Sequence, residues 1–305
     1  MRPDGEPQTA QIESLAHDGR GVAHVDGKTV YVDGALPGER VVLRRTRSRR
    51  RYDEAVTVEV LEAAAGRVAP RCEHYGVCGG CSLQHLDPAL QVVAKQGHVA
   101  EQLSRLGRVE PQAWLEPLTG PVWHYRRRAR LGVKFVHKKG RVLVGFRERA
   151  APFVADLRKC HVLAHPVGEL IEALAAMIGD LSIRERLPQI EVAVGEGATA
   201  LVMRVLDAPA PADLERLRTF AATHGVDIYL QPGGLDTIAP LEPSTTPLHY
   251  RLPAFDLTIG FRPVDFIQVN GELNERTVAR TVSLLDPQPA DAILDLFCGL
   301  GNFTL

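Results

Sequence analysis

Through its first sixty residues the chain alternates short β-prone runs with glycine turns. The runs lie at 12–15, 22–25, 29–32, 41–45 and 55–61, and breaks fall near Gly19, at Asp26-Gly27 and between Gly34 and Gly38. Short strands with such frequent turn signals predict a small β-barrel over residues 1–62. The apolar spacing then becomes helical. Val92, Val99, Leu103 and Leu106 place a helix over 88–107, opened by Pro88 and stopped by Gly107. Beyond it the pattern predicts a hairpin at 130–135 and 142–146, turning at Lys139-Gly140. A helix at 167–178, a hairpin at 190–194 and 200–206, a helix at 213–224 and a strand at 227–231 follow. This order is that of an α+β domain. Residues 232–253 are rich in Pro, Gly and Thr and read as loop or sheet edge. A helix is expected over 272–285, and the apolar run 292–297 reads as a buried strand of the parallel type.

Charge changes this picture. The 305 residues carry 36 Lys+Arg and 37 Asp+Glu, a net charge of -1, which excludes a uniformly basic chain that coats nucleic acid. The distribution is uneven. Residues 121–160 hold twelve basic and two acidic side chains, and six arginines crowd between Arg44 and Arg51. Two such clusters are footprints that a polyanion could use. The hydrophobic content of 45% is that of a globular chain. Apolar runs are too short to cross a bilayer, and the N-terminus has no signal-peptide pattern. Five cysteines, mostly clustered, do not form a secreted disulfide scaffold. A cytoplasmic, multidomain protein is expected.

The cysteines run Cys72-x5-Cys78-x2-Cys81, with Cys160 far downstream. Gly76, Gly79 and Gly80 free this loop to wrap a metal centre and bring backbone N–H groups toward sulfur. Thiolates at this spacing suit zinc or an iron–sulfur cluster, and spacing leaves both open. At the other end, the run ending in Asp295-Leu-Phe297 is followed by Gly299-x-Gly301. Strand, glycine turn and helix begin a Rossmann-like domain. Thr304 stands where a dinucleotide pattern has its third glycine, so a smaller adenosyl ligand such as S-adenosylmethionine is expected. One strand is not a complete nucleotide-binding domain, and the chain reads as a C-terminally truncated piece.

Together these motifs resemble the uracil-C5 RNA methyltransferases, and within them the branch acting on 23S ribosomal RNA. The resemblance spans residues 10–305. It rests on CEHYGVCGGCSLQHL at 72–86, KCHVL at 159–163, HYRRRARLGV at 124–133, GFRER at 145–149, DFIQVNGELN at 265–274 and LDLFCGLGNFTL at 294–305. It implies three parts: a TRAM (OB-like) RNA-binding barrel over 1–62, a central α+β iron–sulfur domain over 63–262, and the start of an α/β Rossmann-like methyltransferase domain over 263–305. Residues 90–122 would pack on the last part. The resemblance also implies a [4Fe-4S] cluster on Cys72, Cys78, Cys81 and Cys160. S-adenosylmethionine would be held by Gln268, Phe297 and Asn302, with Asp295 in support. Arg126, Arg127, Arg128 and Arg130 would contact phosphates of 23S ribosomal RNA, and the protein would be a monomer away from membranes.

Uracil C5 does not take a methyl group unaided. The resemblance implies a cysteine thiolate that adds to C6 and a general base that removes the C5 proton. Both are expected beyond Leu305, so the fragment itself is expected to be inactive. Cys298 sits in the glycine turn and is not expected to be the nucleophile. His124, His161 and His165 are assigned no role. Competing readings are a non-catalytic iron–sulfur RNA-binding module, a zinc-stabilised RNA-binding factor, and a methyltransferase of another RNA.

Overall fold

A computed structural model describes residues 6–243 and 246–305. Positions 1–5 of the expected barrel and 244–245 of the expected loop therefore lie outside the described residues. The chain divides into two compact units, the first ending at Pro117 and the second beginning at Leu118.

The first unit opens with six strands: β1 (Gln8–Gln11), β2 (Ser14–Leu15), β3 (Gly21–Val25), β4 (Lys28–Asp33), β5 (Arg40–Ser48) and β6 (Tyr52–Glu62). They form one sheet in the order β1-β5-β6-β4-β3-β2. Every pairing is antiparallel except β4 with β6. The alternation in sequence becomes a core of Ile12, Ala23, Val30, Val32, Val41, Leu43 and Ala55, because successive strand side chains face opposite ways. Asp26 and Gly27, both at positive φ, make the two-residue turn between β3 and β4. Beyond β6 the chain is tied back to the barrel by an ion pair. The Arg67 guanidinium grips the wholly buried Glu39 carboxylate at 2.6 and 2.7 Å and also donates to the Gly34 carbonyl. Helix α1 (Pro88–Gln102) follows, capped by the Asp87 carboxylate, which accepts from Ala89 N–H. Its last turn widens into a π-helical turn at Leu103–Gly107, so the helical run ends where the glycine predicts.

The second unit holds β7 (Arg128–Val136), β8 (Arg141–Gly145), α2 (Ile171–Gly179), β9 (Gln189–Val194), β10 (Thr199–Arg204), α3 (Pro211–His224), β11 (Asp227–Gln231) and β12 (Ala239–Pro240). Its sheet runs β12-β11-β10-β9-β7-β8. Helix α3 is the crossover between the parallel strands β10 and β11, as a βαβ unit requires. Helix α2 packs on β8 and α3 on β11. Strands β9 and β10 are buried almost throughout, since the sheet is covered on both faces. Ala193 and Ala200 meet a second cluster: Leu248, Tyr250, Leu252, Ile259, Phe261, Ile267 and Val278. That cluster comes from a ribbon, β13 (His249–Leu252) with β14 (Leu257–Gly260), from the residues flanking it, from Ile267 and from helix α4 (Gly271–Leu285). Asn270 caps α4 by accepting from Leu273 N–H at 3.1 Å.

Two expectations are corrected. The ribbon lies partly within the stretch read as loop or edge. The run at 292–297 is not a strand, and Ile293, Leu294, Leu296 and Phe297 are exposed. A buried parallel strand needs ladder partners for its N–H and C=O groups, and among the described residues no strand lies beside it.

Candidate functional site

The cysteine loop belongs to the first unit. Its backbone folds back on itself through Tyr75 N–H to the Cys72 carbonyl at 3.0 Å and Cys78 N–H to the His74 carbonyl at 2.9 Å. Gly76 takes φ 90° to allow the turn. Cys72, Cys78 and Cys81 are all half-buried, and none is in a disulfide. Backbone amides are aimed at sulfur: Gly80 N–H donates to Cys78 Sγ at 3.4 Å, and those of His74 and Tyr75 reach Cys72. Burial pushes the Cys72 thiol up, and the negative charges of Cys81 and Glu73 add to the rise against those two amides. Three neighbouring thiols, with amides turned toward sulfur and Cys81 disfavouring a lone Cys72 anion, fit a cationic metal centre. Cys160 lies in the second unit, also half-buried. Its N–H donates to the Gly168 carbonyl at 2.8 Å, and a Cβ on Gly168 would collide with the Cys160 carbonyl. Only glycine lets that loop close so tightly.

Two of the cofactor candidates, Gln268 and Asn302, are linked through Tyr250 in the second unit. Asn302 and Asn274 exchange amide hydrogen bonds at 2.9 and 3.0 Å. Tyr250 OH donates to the same Asn302 Oδ1 at 3.0 Å. The Tyr250 ring carries Arg127 over it, whose guanidinium carbon stands 4.6 Å from the ring centroid. Arg127 Nε in turn donates to the Gln268 carbonyl at 2.8 Å. Tyr250 and Arg127 thus tie Gln268 to Asn302. Burial lowers the Arg127 guanidinium, while Tyr250 and Glu196 oppose the shift. The Gln268 side chain is exposed, and Phe297 is fully exposed at φ 63°. Thr304 OH donates to the Asp295 carboxylate. Cys298 is exposed in the turn. Sequence reading missed Asn274 and Tyr250. Asn274 closes the DFIQVNGELN motif, so a signal was present; Tyr250 sits in a Pro-rich stretch that gives none.

The four arginines expected to meet phosphate are engaged within the protein. The register sets Arg130 opposite Glu191. Arg130 grips that carboxylate through Nε and Nη2, and Arg128 reaches its other oxygen at 3.2 Å. Arg126 lies over the Phe146 ring at 6.0 Å. In the same basic block Lys139 and Arg141 share Asp156. Other exposed cations include Lys134 and Lys138 on the β7–β8 hairpin and, in the first unit, Arg47, Arg49, Arg50 and Arg51 at the β5–β6 tip.

Residues 2–64 match the TRAM domain family. The chain is 51% identical over 301 residues to "23S rRNA (uracil(1939)-C(5))-methyltransferase RlmD" of Methylococcus capsulatus, covering 98% of this chain and 68% of that protein. It is likewise 51% identical to the protein of the same name from Aromatoleum aromaticum, covering 97% and 69%. In fold it is similar to the Pyrococcus abyssi tRNA (uracil-54, C5)-methyltransferase crystallised with S-adenosyl-L-homocysteine. There the TM-score is 0.69 at 22% identity, over 98% of this chain and 70% of that one.

Proposed function

Because the chain belongs to the RlmD family of 23S ribosomal RNA (uracil-C5) methyltransferases, we propose that it serves the S-adenosylmethionine-dependent methylation of a uridine at C5 in 23S ribosomal RNA. The observation that carries this reading is the Gln268–Arg127–Tyr250–Asn302 connection. It orders two candidate cofactor contacts that a pure RNA-binding module would not need. Gln268 and Asn302 would hold S-adenosylmethionine, with Phe297 as its third contact. When bound, S-adenosylmethionine supplies an electrophilic methyl group on sulfonium sulfur.

Cys72, Cys78 and Cys81, with Cys160, would hold a [4Fe-4S] cluster. The thiol and amide pattern of the 72–81 loop supports it. Its role would be structural, fixing a loop beside the barrel. Phosphate contacts fall to the exposed Arg47, Arg49, Arg50 and Arg51 and to Lys134 and Lys138. They would position the RNA without reading its sequence. The target base must leave its stack to be reached. A thiolate that adds to uracil C6 makes C5 nucleophilic, and loss of the C5 proton to a base expels the thiolate again. Cys298 is an exposed turn residue and the other four cysteines are assigned to the cluster. The 305-residue chain by itself is therefore expected to bind RNA and cofactor without methylating.

Isothermal titration with S-adenosylmethionine tests the reading. Heat of binding that is lost in Asn302→Ala supports it. Absence of binding, with RNA affinity retained, favours the non-catalytic module. Transfer of a labelled methyl group to a 23S RNA transcript by this chain would overturn the assignment of the nucleophile.

A further inference from the structure

In the second unit, outside the Tyr250 network, His124, His165 and Glu169 bring one ligand atom each to within 4.8 Å of one another. The imidazoles of His124 and His165 stack with centroids 4.1 Å apart and planes 18° off parallel, so their Nδ1 atoms face the Glu169 carboxylate side by side. His165 Nδ1 lies 3.0 Å from one carboxylate oxygen. His124 Nδ1 lies 3.9 Å from the other, too far for a hydrogen bond. That His124 nitrogen is buried and has no hydrogen-bond partner, a state that costs free energy unless something else satisfies it. His124 is also held at φ 55°, a region a bulky residue seldom adopts. Its N–H donates to the His161 carbonyl at 2.8 Å.

We propose that His124, His165 and Glu169 form a binding site for a borderline divalent transition metal such as zinc. Two imidazoles and one carboxylate are the donor set such ions favour over magnesium or calcium. Ligand atoms each about 2.1 Å from one tetrahedral ion stand about 3.4 Å apart, so three atoms that lie within 4.8 Å of one another close on one ion by small side-chain movements. A small rotation of the exposed His165, with its hydrogen moved from Nδ1, where it is donated to Glu169, to Nε2, would free the Nδ1 lone pair for the shared ion. Three protein ligands leave a fourth position for water. The ion would satisfy His124 Nδ1 and clamp the segment at His124 to the loop that runs from Cys160 through Gly168 to Glu169.

The test is a Co2+ titration of the purified protein, reconstituted anaerobically with iron and sulfide and followed by visible absorption. Cobalt on histidine and carboxylate gives d–d bands without the charge-transfer band of a cobalt thiolate, which separates this site from the cysteines. His165→Ala and Glu169→Gln change exposed side chains, and circular dichroism verifies their fold. Each is expected to weaken Co2+ binding by at least about tenfold with iron content unchanged, while Cys160→Ser keeps the histidine-type spectrum. Two results overturn the proposal: variants that titrate like the parent chain, or a cobalt spectrum that shows thiolate ligation alone.

Discussion

Glu39 is wholly buried, yet it stays a carboxylate. Burial would raise its pKa. The hydrogen bond from Arg67, the amides of Leu36 and Ala64 and the Arg67 charge outweigh that and hold it below the usual carboxylate range. Removing one partner leaves an uncompensated group in the interior, so Arg67→Met is expected to cost about 3–5 kcal/mol in urea denaturation. Asp53, paired with Lys28 and Arg45, and Asp213, held by Ser182 and the Ala210 amide, are likewise lowered after burial is overcome. All three carboxyls have folded pKa values below their unfolded ones. Their stabilisation is complete above the ordinary carboxylate range and lost as pH falls through the lowered values. The urea midpoint should therefore hold steady near neutrality and drop on the acid side. A midpoint that rises on acidification contradicts the assignment. At the proposed cofactor site, Tyr250→Phe removes one neutral hydrogen bond to Asn302 and keeps the ring under Arg127. About 0.5–1.5 kcal/mol, or a two- to tenfold weaker S-adenosylmethionine titration, is expected. Little of this is legible in the sequence. A run of arginines is visible there, but Glu191, some sixty residues away in the chain, takes up two of them only once β7 and β9 pair.

Elements are more legible than residues where local signals agree with the tertiary structure. The barrel strands stand out because each apolar alternation is bounded by a turn residue suited to nothing else, as Asp26-Gly27 is between β3 and β4. The β13–β14 ribbon escapes sequence reading because its four-residue strands lie amid Pro and Thr and are defined by what covers Tyr250 and Ile259. The apolar run at 292–297 misleads for the opposite reason: composition marks it as buried, but a strand exists only with a neighbour. The β5–β6 tip carries its own prediction. If Arg49, Arg50 and Arg51 meet phosphates, changing all three to Ala should weaken RNA binding across sequences. It should also flatten the dependence of log affinity on log salt, by roughly 0.7 for each phosphate of single-stranded RNA left without its cation. Filter binding at several salt concentrations measures the slope, and an unchanged slope removes these residues from the interface.

For the molecule as a whole, the net charge of -1 conceals polarity. The basic block at 121–160 is offset by acidic residues downstream, and several of its cations are balanced inside the second unit. Among the described residues no helix is long and apolar enough to cross a membrane. The cysteines give a prediction at this scale. Anaerobically purified protein should be brown and contain iron, whereas a colourless protein with stoichiometric zinc would replace the cluster reading.

The Glu39–Arg67 ion pair reaches further than stability. It fastens the strap after β6 to the barrel, while Leu83 and Ser82, just past the cysteine loop, pack against Gly19 in the β2–β3 turn. Barrel and cysteine loop are therefore packed together in the first unit, with the arginine tip on the same barrel. If the tip binds RNA and the loop holds the proposed cluster, a pull on RNA at the tip would be transmitted to the sulfur ligands, and loosening those ligands would slacken the grip in return. Iron chelation should then shorten the lifetime of the RNA complex even though every arginine at the tip is still in place.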